Sequence, residues 1–288
     1  AMAANAKAGG IELRMGSGFR VDRLDWNIAG NLDGANPNIL SELTWSGLDI
    51  VELTLEARRT INRVYLRGSV DYGFIFSGSN QDSDYNGDNR TLEYSRSDNN
   101  ASDGSVWDVS LGVGYTRWVL RAARGRLRVI PLLGYSFHKQ NLTITDGFQT
   151  IPATGSFPGL DSSYNALWMG PWAGFDLDYK ADRLKLFGAF ELHAAYYRAT
   201  ANWNLRTDFM HPKSFEHTAN GLGVVLSLGA DYGLSRDLSL VAAVSHQDWH
   251  TFEGTDRTFF SDGTASDTQL NEVNWSSDDV TLAIEFRF

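Results

Sequence analysis

The chain contains no cysteine, only six prolines and four methionines, and no long apolar run among its 288 residues. Without cysteine there is no disulfide framework, no thiolate nucleophile and no thiolate metal site. No segment approaches the roughly 18 consecutive apolar residues of a membrane helix, so the chain either avoids the bilayer or crosses it as strands. Basic residues are outnumbered 25 to 35 by acidic ones, a net charge of −10, the wrong sign for gripping phosphate backbones, so nucleic acid is not an expected partner. The opening AMAANAKAGG lacks a charged start followed by an apolar stretch. Residues 1–10 are therefore expected to be a disordered or tag-derived lead, with any signal peptide already removed.

What is abundant is glycine and aromatic side chains: 28 Gly, 9 Trp, 11 Tyr and 16 Phe, a composition suited to many strands and tight turns. The last nine residues, VTLAIEFRF, place Val280, Leu282, Ile284, Phe286 and Phe288 on one face and Thr281, Ala283, Glu285 and Arg287 on the other. DIVELTLEAR repeats the pattern, with Val51, Leu53, Leu55 and Ala57 against Glu52, Thr54, Glu56 and Arg58. In VYLRGSVDYGF, Val64, Leu66, Val70, Tyr72 and Phe74 oppose Arg67, Ser69 and Asp71. Neighbouring strands thus turn charges of both signs toward a common interior. A small soluble core rarely buries such groups, whereas the lumen of a membrane barrel accommodates them.

Connection lengths supply the topology. Short polar turns at 57–62, 121–126, 180–183 and 233–237 alternate with long acidic, Asn/Ser/Gly-rich segments at about 27–40, 78–104, 143–163, 203–218 and 251–270. Short turns on one side and long loops on the other are the signature of an outer-membrane barrel. Nine connections imply ten strands. The expected fold is an all-β, ten-stranded antiparallel transmembrane β-barrel, a single domain over 1–288, monomeric and in the bacterial outer membrane. Trp45, Trp107, Trp118, Trp203 and Trp275 fall near strand ends, as interfacial aromatic belts require. Ten strands make too narrow a barrel for a porin, which moves function to the external mouth.

The second long segment carries DSDYNGDNRTLE, which fits the calcium-loop spacing D-x-[DN]-x-[DN]-G-x5-E. Asp82, Asp84, Asn86 and Glu93 would supply oxygens, Asp88 a backbone carbonyl, and Gly87 the sharp turn. Elsewhere, His138 and the Glu191–His193 pair read as hydrogen-bonding partners in the lumen. His246 and His250 flank Asp248 on one strand face without a third ligand.

SELTWSGLDIVELTL (41–55), QDSDY (81–85), RVIPLLGYSFHKQNLTI (128–144) and the terminal Phe resemble the omptins, ten-stranded outer-membrane proteases. The resemblance implies peptide hydrolysis by an Asp–Asp pair facing an Asp–His pair across a water. Asp82 and Asp84 match the first pair. For the second, a D-x-H motif is replaced by Asp208 and His211, three apart, which a regular strand puts on opposite faces; His217, beside Glu216, is the fallback. By the same resemblance Asp22 and Arg206 stand where substrate-pocket residues belong, Arg206 with the reverse of the usual charge. No cofactor is required by that chemistry; calcium belongs to the competing reading of 82–93. Lipopolysaccharide is the lipid partner so implied; Arg117 and Arg121, basic residues near strand ends, either meet its phosphates or merely snorkel. A non-enzymatic barrel acting in surface binding, adhesion or membrane structure is the alternative.

Overall fold

Alternating side chains and obligatory backbone pairing leave a membrane-crossing sheet one way to avoid an open edge, which is to close on itself. The computed structural model describes residues 10–116, 118–122 and 125–288, and closure is what it shows. The elements are β1 (Ile11–Ile28), β2 (Ser41–Ile61), β3 (Val64–Gly87), β4 (Thr91–Asn100), β5 (Gly104–Tyr115), β6 (Trp118–Ala122), β7 (Gly125–Ile151), β8 (Gly155–Ser156), β9 (Asp161–Ala181), β10 (Leu184–Asn202), β11 (Phe215–Gly233), β12 (Leu238–Thr251), β13 (Gly254–Phe259) and β14 (Ala265–Arg287). With β4, β5 and β6 forming one interrupted stave between β3 and β7, the antiparallel ring has ten staves, and β1 pairs with β14 to close it. Residues 1–9, which include nearly all of the expected lead segment, and Arg117 lie outside the described residues.

The outer wall is apolar. Leu53, Leu133, Leu228 and Leu282 are each about three-fifths exposed, a large unpartnered apolar surface that acyl chains can cover and water cannot. The inner wall is charged and paired. Near the short-turn end Arg14 bridges Glu285 at 2.9 Å and Glu56 at 3.1 Å, and Lys185 and Arg287 converge on Asp231 at 3.0 and 2.8 Å. Farther up, Arg67 reaches Asp176 at 2.6 Å and also binds Glu191. Arg20 grips Asp108 and chelates Asp22 through two 2.7 Å bonds. His138 lies 2.8 Å from Asp108, and His193 lies 3.0 Å from the Ser136 hydroxyl, both histidines buried in the lumen.

Above these ion pairs the interior turns aromatic. Trp45, Trp168, Trp249 and Trp275 are all within 1% of complete burial, and Trp249 stacks on Trp275 at 5.4 Å. This corrects the expected belt: Trp45 and Trp275 point inward and Trp203 packs on the core, leaving Trp107 exposed on the outer wall. The Trp118 side chain lies outside the described residues. Strand ends on the long-loop side are also the top of a hydrophobic core, so proximity to an end did not imply contact with lipid.

The long segments are mostly not loops. β3 has 24 residues, β7 27 and β14 23, where roughly 9–11 suffice to cross a bilayer. Their surplus forms paired hairpins standing above the membrane, such as β3 on β4 and β13 on β14. Asn, Ser and Asp there keep extended backbone because cross-strand pairing satisfies it.

Candidate active site at the extracellular mouth

Whether Asp82 and Asp84 face inward is decided by irregularities lower in the sheet. On β3 the even residues Phe74 and Phe76 are exposed on the outer wall. The β2–β3 ladder then shifts twice, between Ser46 and Asp49 and between Asp49 and Ile50, with Gly47 at φ +57°, a left-handed conformation suited to glycine. Each extra residue swaps the faces of its strand. Above the shift Leu43 stands opposite Asp82 and Ser41 opposite Asp84, and these even-numbered acids of β3 turn into the barrel.

There they border a cavity of about 520 Å3. Its walls are largely apolar, with Trp26, Leu43, Trp203, Phe209 and Phe215 among them, and its polar groups include both aspartates, Arg206 and Asp256. Neither aspartate has an ion-pair partner among the described residues. Burial, followed by the charge of Asp84, pushes Asp82 up to about 8 against the pull of a Trp203 hydrogen bond and Arg206. Burial raises Asp84 as well, opposed by hydrogen bonds from Ser41 and Ser95 and by Arg206. Burial thus raises both carboxyls, and the charge of Asp84 adds to the rise at Asp82.

Asp208 and His211 are not brought together. Asp208 is held by Arg206 through bonds of 2.9 and 2.7 Å at an exposed site, which lowers its carboxyl below the ordinary range. His211 Nδ1 lies 2.7 Å from the Asn202 side-chain oxygen and its Nε2 3.2 Å from the Arg206 carbonyl. The loop over 203–214 is too short of cross-strand pairing to impose the alternation that a shared face needs. Asp22 does not reach the cavity either: buried in the lumen, it binds Arg20 and accepts from the Trp275 indole at 3.1 Å. Arg206 does line the cavity, its guanidinium lying over Phe209 at 3.9 Å.

The residues of the calcium pattern are likewise spread out. Asp82 and Asp84 sit on extended strand, and Asn86 is exposed toward the hairpin tip. The Asp88 carboxylate accepts from the Asn38 amide at 2.8 Å, and Arg96 clamps Glu93 at 2.7 and 2.5 Å. Positive φ falls on Asn89, Arg90 and Leu92 rather than on Gly87. The physical reason is that β4 pairs with β3, which extends the segment as a flat hairpin. Among the described residues no group of three or more His, Asp or Glu side chains is placed to hold a metal. The Arg121 side chain is outside the described residues, so the lipid contact expected of it has no geometry here. His246 and His250 face outward, 2.7 Å from Asp278 and from Asn274 respectively.

One assembly escaped sequence reasoning. His217, fully buried, has its Nε2 3.2 Å from Asp256 of β13 and its Nδ1 2.9 Å from the Tyr164 hydroxyl, itself 2.6 Å from that of Tyr197. The position two before His217, which shares its strand face, is Phe215, whose ring lies 5.1 Å away. The carboxylate therefore arrives from another strand through the register His217↔Asp256, and no local motif announces it. Asp256 borders both this buried imidazole and the cavity.

Comparison with known proteins agrees with the architecture. Outer membrane protease OmpT of Escherichia coli superposes with a TM-score of 0.79 over 99% of both chains at 13% identity, a likeness of fold alone. The outer membrane protein OprG of Pseudomonas aeruginosa (14% identity, 98% and 97% covered, TM-score 0.42) and Ail, the attachment invasion locus protein of Yersinia pestis (9%, 98% and 100%, 0.30), are more distant barrels. No curated protein matches by sequence. With a family model matched from residue 14 to residue 288, this outer-membrane β-barrel belongs to the Pom family, the Protochlamydia outer membrane proteins.

Proposed function

We infer that the mouth of the barrel captures a peptide segment, or another ligand with an apolar body and one cationic or hydrogen-donating group, at the cell surface. The observation that carries this reading is the juxtaposition, in one cavity of about 520 Å3, of aromatic walls with Asp82 and Asp84. Apolar burial supplies affinity and the paired carboxylates fix orientation. A cationic group favours the ionised form of Asp82, so affinity should rise with pH toward about 8, where Asp82 ionises. Fluorescence anisotropy of labelled cationic–aromatic peptides with the purified barrel in micelles tests this. Asp82→Asn should weaken binding about tenfold, the worth of one charge-assisted hydrogen bond, and flatten the pH dependence. Unchanged affinity in that variant would refute the site.

A second reading, peptide hydrolysis, draws support from Asp256, which connects the cavity wall to His217 at 3.2 Å. An imidazole with a carboxylate beside it can take a proton from water, and Asp256 borders the same cavity as Asp82 and Asp84. Cleavage of quenched fluorescent peptides should then vanish in both Asp82→Asn and His217→Gln and persist in His211→Ala. Turnover that survives His217→Gln would exclude this arrangement.

A further inference from the structure

The lipid-facing wall near the short turns is interrupted. Outward residues of β2 run Val51, Leu53, Leu55, Ala57, Arg59, Ile61, so a guanidinium breaks an apolar face. The ladder partners of Arg59 are Ile11 on β1 and Leu66 on β3, both exposed and apolar. On the adjoining rung Ala57 stands opposite Gly68, and Gly68 opposite Leu111. Because Gly68 has no side chain, a furrow of about 690 Å3 opens there. Ala57 and Gly68 form its floor, Leu66, Leu111 and Leu133 its walls, and Arg59 one end.

Depth in the membrane follows from the neighbouring residues. The Arg63 guanidinium lies 3.4 Å from the Tyr115 hydroxyl beside the turn, and tyrosine at a barrel rim marks the headgroup level. Val64, opposite Tyr115, is one outward position closer to the turn than Leu66 and its partner Arg59. Arg59 therefore sits just inside the headgroups of the periplasmic leaflet. Its neighbour Arg58 turns inward to Glu56, but no carboxylate among the described residues faces Arg59. A guanidinium at this depth needs an anion or water, and acyl chains supply neither.

The geometry points to a glycerophospholipid site in the periplasmic leaflet, with the lipid phosphate on Arg59 and one acyl chain lying in the furrow over Gly68. Phosphate matches the guanidinium fork in charge and shape. The furrow gives the chain close apolar contact along Leu66, Leu111 and Leu133.

Native mass spectrometry of the full chain, released from mild micelles after incubation with dioleoyl-phosphatidylglycerol or dioleoyl-phosphatidylethanolamine, tests the site. Wild type should retain one phospholipid per barrel. Arg59→Gln should lower the retained fraction about tenfold, and Gly68→Leu, whose new side chain first meets the end of Leu111 at 2.9 Å, should do the same by filling the furrow. Arg63→Gln should retain lipid as wild type does. Equal retention by wild type and Arg59→Gln would overturn the proposal, since Arg59 then merely extends to water. Retention of lipopolysaccharide in preference to either phospholipid would also overturn it. Should Gly68→Leu fail to fold, the exposed Arg59 position still decides the matter.

Discussion

Asp82 shows how little of a residue's chemistry lies in its name. As one of two aspartates in a D-x-D it was legible in the sequence, and its position at the mouth followed from the strand count. Its ionisation did not follow, because burial and the neighbouring charge depend on a face swap at Gly47 and Phe76 that alternation alone conceals. The consequence for stability has a definite sign. A carboxyl raised to about 8 in the folded state keeps its proton when the unfolded chain, near the ordinary carboxyl value of about 3.9, has lost it. Stability from this group is complete below pH 4 and declines as pH rises toward 8. Asp82→Asn should therefore melt higher than wild type at pH 9 and level with it at pH 4, in thermal scans followed by circular dichroism. His217 was named as a fallback, but its pairing with Asp256 was illegible for a different reason: it is a fact of cross-strand register, which sequence spacing does not encode.

At the scale of elements, the alternating apolar faces of β2, β3 and β14 were plain in the sequence because lipid on one side and a charged lumen on the other enforce period two. The segments at 78–104 and 251–270 were read as loops, and they contain β4 and β13. Above the membrane both faces of a strand can meet water or another strand, so the apolar signal fades while the hydrogen-bonded ladder continues. Removing the tip of the β3–β4 hairpin, residues 88–90, and closing it with a two-residue turn should leave barrel stability within about 0.5 kcal/mol of wild type. Heat-modifiable mobility in SDS gels and urea titration in micelles would measure it. A large loss would mean that the projecting hairpins brace the barrel. Lower on the wall the demands reverse: Leu282→Lys, placed among acyl chains, should cost about 2–4 kcal/mol near the bilayer midplane.

For the whole molecule, what holds the interior is a stack of two unlike layers. The ion pairs around Arg20, Arg67 and Arg14 fill the membrane-spanning lumen, and the tryptophans around Trp249 fill the part above it. Arg20 alone serves Asp22, Asp108 and Glu52. Replacing it with methionine leaves several buried carboxylates without a cation and should cost about 3–5 kcal/mol, as breaking a buried pair does. Urea unfolding monitored by tryptophan fluorescence would check this, and a shift below 1 kcal/mol would show that water already compensates those acids.

The seam between β1 and β14 also bears on time. Arg14 and Glu285, bonded across it, are 271 positions apart in the chain, so the pairing that abolishes the open edge joins regions separated by nearly the whole sequence. Contacts of that separation form late, because the entropy of closing so large a loop is spent before any bond repays it. Until the seam zips, β1 and β14 each present an unpaired apolar edge. The hazardous interval in the life of this protein is thus the wait before closure, and whatever shortens that wait protects it more than any single contact in the finished ring.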